Sequence, residues 1–394
     1  MKPLRAPVGF PVISEARAAV VTRSPRYLRL VRLVMAGGVL SSPGFAATAA
    51  KGPDVPPEPA MAYRVPADPD ALLQIDEPVR RFFHERVPGS SRSGSQLRKL
   101  VDTIFRPDGL HFTYDAKSTF DARETFRQRR GNCMSFAFLV VALAREFGFE
   151  ASFQYVSTPG HWDRYGGIVV SVQHMNVRVK AGGETYLVDL RPDLVPAFDS
   201  AALQVAGDER ACAEFYDTAG FFQLLHAQQA EALRLMMLAV KTDPTCAGAW
   251  ANLAALQAHL GDLTDARACF ERSLRVDPRG ELALEGYVNL LRRLGSPEDL
   301  RIAARYERRA QAIRDRNPYY QQGLAERAQA QGDWVTAEKR LRRAIGLKDD
   351  EPQFYEQWVT VLRVLGRDDA ARRVATKLEK LRRRLAEAPM HFTP

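Results

Sequence analysis

The chain is 394 residues long, enough for two or three domains, with a composition suited to a folded globular protein. Its formal charge is +9, but residues 1–49 hold seven basic side chains and one acidic one, so the rest carries only +3; this is weak support for a nucleic-acid partner. The four cysteines (Cys133, Cys212, Cys246, Cys269) form no CxxC pair and indicate neither a zinc site nor a disulfide framework, and no stretch is long and apolar enough to span a membrane as a mature helix.

Residues 1–49 read as a targeting segment: Arg23, Arg26, Arg29 and Arg32 precede an apolar run from Leu33 to Leu40, and Ala47-Thr48-Ala49 offers a small-x-small cleavage site. This implies export to the periplasm, from a start nearer Val20 or Val21; the alternative is a disordered tail on a cytoplasmic protein. Residues 50–71 are Pro-rich and read as a linker. Val79, Phe82 and Phe83 then suggest one amphipathic helix, and Leu97, Leu100, Val101 and Ile104 a second, before a turn at Pro107-Asp108-Gly109. Asp121 to Gln128 reads as a short helix. A long apolar helix is expected from Cys133 to about Gly148, a C-cap.

Two strand-like runs follow, at 151–156 and 168–172, then two alternating segments at 174–180 and 185–190 around Gly182-Gly183. A turn centred on those glycines makes paired positions sum to 365. Met175 then faces Leu190, Val177 faces Val188 and Val179 faces Tyr186, all apolar. The opposite side carries His174 and Asn176, with Asp189 across from Asn176 and diagonal to His174. Diagonal neighbours are roughly 7–8 Å apart at the backbone, within reach of an imidazole–carboxylate hydrogen bond.

From about Ala211 the chain is helical and repetitive. Trp250-x2-Leu253-Ala254, Ala266-x3-Phe270 and Pro278 follow the tetratricopeptide pattern, and Ala232 to Ala266, Pro244 to Pro278 and Gly261 to Gly295 are each 34 residues. Gly295 to Gly332 is 37, which places three extra residues around Ser296-Pro297-Glu298-Asp299. Five repeats are expected over 211–385. The arginine runs within them read as solvated helix faces, with a basic groove for an acidic partner as the alternative.

The chemistry concentrates on Arg129-Arg130-Gly131-Asn132-Cys133-Met134-Ser135. A thiol at a helix N-terminus feels the positive end of the helix dipole, which favours thiolate. Cys133 with His174 and Asp189 is a set suited to nucleophilic catalysis. His161, in Pro159-Gly160-His161-Trp162, is the competing histidine but sits in a Gly/Pro-rich turn. Trp162 either lines a cleft or caps the core, and Asn176 is the alternative orienting residue. Cys212, Cys246 and Cys269 read as repeat packing.

Gly-Asn-Cys at the head of an apolar helix, then a His on one strand and an Asp on the next, resembles the transglutaminase-like superfamily. The whole is similar to bacterial proteins that fuse such a domain to tetratricopeptide repeats. The resemblance implies an α+β papain-like domain over 72–205 followed by an all-α tetratricopeptide solenoid. It implies Cys133 as nucleophile, His174 as the base that takes the thiol proton and later protonates the leaving amine, and Asp189 as the residue orienting the imidazole. The backbone N–H of Cys133 would be one oxyanion donor; the second donor has no assignment in the sequence. No metal or organic cofactor is implied. The solenoid would bind a protein or peptide; the rival reading is an inactive domain serving as an interaction platform.

Overall fold

The computed structural model describes residues 30–34, 63–156, 162–165, 168–190 and 203–386. The expected targeting segment lies outside these residues except for β1 (Leu30–Val34), which forms a strand. The first part of the linker also lies outside. Its last residues are packed: the Tyr63 hydroxyl donates to Asp121 Oδ2 at 2.9 Å, Val65 is buried, and a 3₁₀ turn runs Pro69–Leu72.

The two amphipathic helices form as α1 (Glu77–Arg86) and α2 (Gly94–Phe105), capped by the Asp76 and Ser93 side chains. A short parallel pair, β2 (Thr113–Tyr114) and β3 (Arg130–Gly131), flanks α3 (Ala122–Gln128), whose N-cap is Asp121. Helix α4 (Cys133–Glu146) follows directly, buried at every position from Cys133 to Ala144, as a helix apolar all round must be. Gly148, at φ +75°, turns the chain out of it as the C-cap pattern requires.

The strands are β4 (Glu150–Val156), β5 (Trp162–Tyr165), β6 (Ile168–Ala181), β7 (Glu184–Val188) and β8 (Leu203–Ala206). One expectation needs correction: the runs at 168–172 and 174–180 are one 14-residue strand. Trp162 opens β5, which pairs with β6. His161 lies outside the described residues. Strand β6 is the spine of the sheet: its first half pairs with β5 and β1, its second with β4 and β7, and β8 borders β4. The β6–β7 register is the expected one, with Val177 opposite Val188 and Val179 opposite Tyr186.

The rest is helical: α5 (Asp208–Leu225), α6 (Gln229–Thr242), α7 (Ala247–Leu260), α8 (Leu263–Val276), α9 (Glu281–Leu294), α10 (Pro297–Arg314), α11 (Pro318–Ala330), α12 (Trp334–Leu347), α13 (Pro352–Val364) and α14 (Asp368–Ala386). They pack as five consecutive pairs. The last four pairs turn at Gly261, Gly295, Gly332 and Gly366, all at positive φ between +68° and +95°, a conformation that costs glycine little. Buried alanines sit 34 apart at Ala303, Ala337 and Ala371, but Ala266 to Ala303 is 37. The three extra residues therefore lengthen the start of α10, which has 18 residues against 14 in α8. Among the described residues, no helix is long and apolar enough to cross a membrane.

Candidate active site

The loop into α4 is held by its own polar side chains. Asn132, the buried N-cap, accepts the Ser135 N–H on Oδ1 at 3.0 Å and donates through Nδ2 to Thr119 Oγ1 at 2.7 Å. Its backbone N–H donates to the Ser118 carbonyl at 3.0 Å, and Ser135 Oγ accepts the Phe120 N–H at 2.8 Å. This satisfies donors of the first turn and fixes the Cys133 backbone. Asn132 and Ser135 were not singled out in the sequence, although an Asn immediately before an apolar helix is itself a cap signal.

His174 lies where β6 changes partners: Gln173 pairs with β1 and His174 with Val156 of β4. Its Nε2 meets both carboxylate oxygens of Asp189, at 2.7 and 2.8 Å. Asp189 stands one residue past β7, where the hairpin parity places it. The Asn176 amide donates to Asp189 Oδ2 at 2.9 Å, so Asn176 backs the carboxylate instead of replacing it beside the imidazole. Cys133, His174, Asn176 and Asp189 are all buried, at 0–2% exposure.

Burial works against a charged imidazole. The Asp189 carboxylate overrides it through charge and hydrogen bonding, and neighbouring Cys133 adds to the effect, so the His174 pKa is pushed up to about 10. The imidazolium is thus the favoured form near neutrality. Cys133 contributes to that shift through hydrogen bonding and charge, although among the described residues Nδ1 has no partner at strict hydrogen-bond geometry. With Nε2 committed to Asp189, Nδ1 is the nitrogen available to the thiol.

The other three cysteines lie on or at the start of repeat helices. Burial pushes the Cys212 thiol up to about 12 and that of Cys269 to about 11, and holds Cys246 well above the usual thiol range. All four are unbridged. Trp162 belongs to β5, across from Ser171. Among the described residues, no cluster of three or more His, Cys, Asp or Glu side chains could hold a metal.

Solved structures similar to this chain include TPR proteins. The similar structures also include MamA from Desulfovibrio magneticus RS-1 (17% identity over 45% of this chain and 97% of that one, TM-score 0.28). Pseudomonas aeruginosa pilF is 16% identical over 44% of this chain and 78% of its own, at TM-score 0.32. TTC0263, a thermophilic TPR protein of Thermus thermophilus, is 24% identical over 45% and 98%, at TM-score 0.29. A search of curated proteins gave no match. Residues 87–224 match the family model of the transglutaminase-like superfamily, and residues 247–279 match a tetratricopeptide repeat. The chain thus joins a transglutaminase-like core to tetratricopeptide repeats, a protein-binding module, in one polypeptide.

Proposed function

We propose that this protein is a thiol acyl-transfer enzyme, cleaving an amide or passing its acyl group to an amine, with Cys133 as nucleophile, His174 as proton carrier and Asp189 as the imidazole's anchor. The observation that carries this reading is the buried His174–Asp189 pair, bonded through Nε2 at 2.7 and 2.8 Å, with Nδ1 left for Cys133. The Cys133 thiolate adds to the carbonyl carbon, and the resulting oxyanion has the Cys133 backbone N–H as one natural donor. As the C–N bond breaks, the imidazolium gives its proton to the departing amine, leaving a thioester on Cys133. Water or a second amine then attacks the thioester, His174 takes its proton, and the thiolate is released. The repeats hold the protein or peptide that supplies the acyl group.

One observation favours a second reading, an inactive platform: Cys133 is only 1% exposed, so a substrate reaches it only if the covering structure moves. The discriminating experiment offers a panel of peptide amides to the full-length protein and looks for a covalent adduct on Cys133 by intact mass. A thioester on wild type that is absent from Cys133→Ala supports the enzyme. No adduct with any donor, together with iodoacetamide labelling of Cys133 no faster than that of a free thiol, supports the platform.

A further inference from the structure

The exposed charge from α10 onward is ordered. Residues 297–386 hold 21 basic and 14 acidic side chains, a net of +7 out of +9 for the whole chain. Ala303, Ala337 and Ala371 are buried at equivalent positions of α10, α12 and α14, and fix how each helix is rotated on the core. Positions two, five and six residues further on lie on the opposite side of a 3.6-residue helix. Those positions are Arg305, Lys339 and Arg373; Arg308, Arg342 and Thr376; and Arg309, Arg343 and Lys377. All of them are exposed. Among the described residues none of these cations is in an ion pair, and only Arg309 is engaged, by the Pro278 carbonyl. The same side of three successive outer helices therefore carries a ladder of eight cations at a 34-residue period. Within each helix these cations sit three or four residues apart on one face, and like charges so placed repel unless an anion lies across them.

A cavity of about 850 Å³ opens on the middle rung. Lys339, Arg342 and Arg343 line it together with Arg367 and Val335, and Val335 is 62% exposed. Its carboxylates are already occupied: Glu338 by Arg367 at 2.6 Å and Asp315 by Gln311 at 2.9 Å. Among the described residues, no aromatic side chain lines the cavity to stack a base, as a single-stranded nucleic acid would require. A concave site with free guanidinium groups around one apolar side chain matches carboxylates interleaved with aliphatic residues.

We propose that the outer helices α10, α12 and α14 dock an acidic peptide segment of a partner protein, with its carboxylates on the cation ladder and an aliphatic side chain against Val335. The proposal rests on the solenoid's being the protein-binding half but not on the chemistry at Cys133. The test is fluorescence anisotropy on the full-length protein with a labelled peptide of repeated Glu-Glu-Leu, and a Lys-Lys-Leu peptide alongside. Only the acidic peptide should bind, and more weakly as salt rises. Arg342→Glu with Arg343→Glu should weaken it at least about tenfold. Arg98→Glu with Lys99→Glu, an equal charge change at exposed sites of α2, should leave it within about twofold. The same binding should persist in Cys133→Ala, which separates this proposal from the enzyme reading. Equal loss in both charge-reversed variants overturns the proposal. So does tighter binding, at matched salt, to phosphatidylglycerol vesicles or to a mixed-sequence oligonucleotide.

Discussion

His174 is a buried imidazole whose charge is favoured only because Asp189 faces it, and that dependence makes its behaviour testable. Asp189→Asn keeps the shape of the side chain but removes the charge, so desolvation is no longer opposed. The His174 pKa should then drop from about 10 to below its ordinary 6.5, which an NMR titration of the ring protons reads directly. Acyl transfer should fall by about 10²–10⁴-fold, the range for losing a positioned acid–base group. The same pair makes stability depend on pH. The folded-state pKa lies above the ordinary value of the unfolded chain. The stabilisation is therefore complete below about pH 6.5 and is lost as pH rises toward about 10. Urea midpoints of wild type and His174→Gln should differ most at pH 6 and converge near pH 10; a constant difference across that range would mean that the pair does not titrate as described.

At the level of single elements, the loop into α4 leaves no slack. A Cβ on Gly131 would lie 2.4 Å from Ser135 Cβ and 2.6 Å from its Oγ. Ser135 cannot give way, because it is fully buried and its hydroxyl holds the Phe120 N–H. Gly131→Ala should therefore cost about 1–3 kcal/mol, measured by denaturant unfolding, and shift the Cys133 backbone with it. Much of this region was legible in the sequence, since the signals are local: an apolar helix after Gly-Asn-Cys, and a Gly-Gly hairpin whose parity forces His174, Asn176 and Asp189 onto one side. What was not legible is non-local. Strand β6 exchanges β1 and β5 for β4 and β7 without interrupting its own backbone, and no residue pattern marks such an exchange. Burial of His174 and Asp189 is likewise a property of the assembled layers, whereas burial of Cys133 follows from the apolar run it heads.

The repeats and the core are physically one body at α5. This helix is buried at every position from Ala211 to Phe222, whereas the end helix of a free-standing solenoid presents a polar outer face. The reason is that α5 has partners on two sides. Phe215 packs 5.0 Å from the ring of Phe138 in α4, which in turn lies 4.8 Å from the ring of Phe153 of β4. Arg145 at the end of α4 clamps Asp208 through two nitrogens, at 2.6 and 2.8 Å, while α6 packs along the length of α5. The family match agrees, running to residue 224 and so taking in nearly all of α5. A chain truncated after Ala206 would strip the cover from Phe138 and Phe153. Each large aromatic left exposed costs about 1.5–3 kcal/mol, a large fraction of a domain's net stability of roughly 5–15 kcal/mol. A chain truncated after Thr242 keeps α5 and its partner α6. The first should therefore be recovered aggregated or bind a hydrophobic dye without a cooperative melt. The second should be soluble with a single thermal transition and an intact His174 titration. If the chain ending at Ala206 melts cooperatively at the same temperature as the longer one, α5 is only a passenger on the core, and the proposed acyl-transfer site and the solenoid are separable machines.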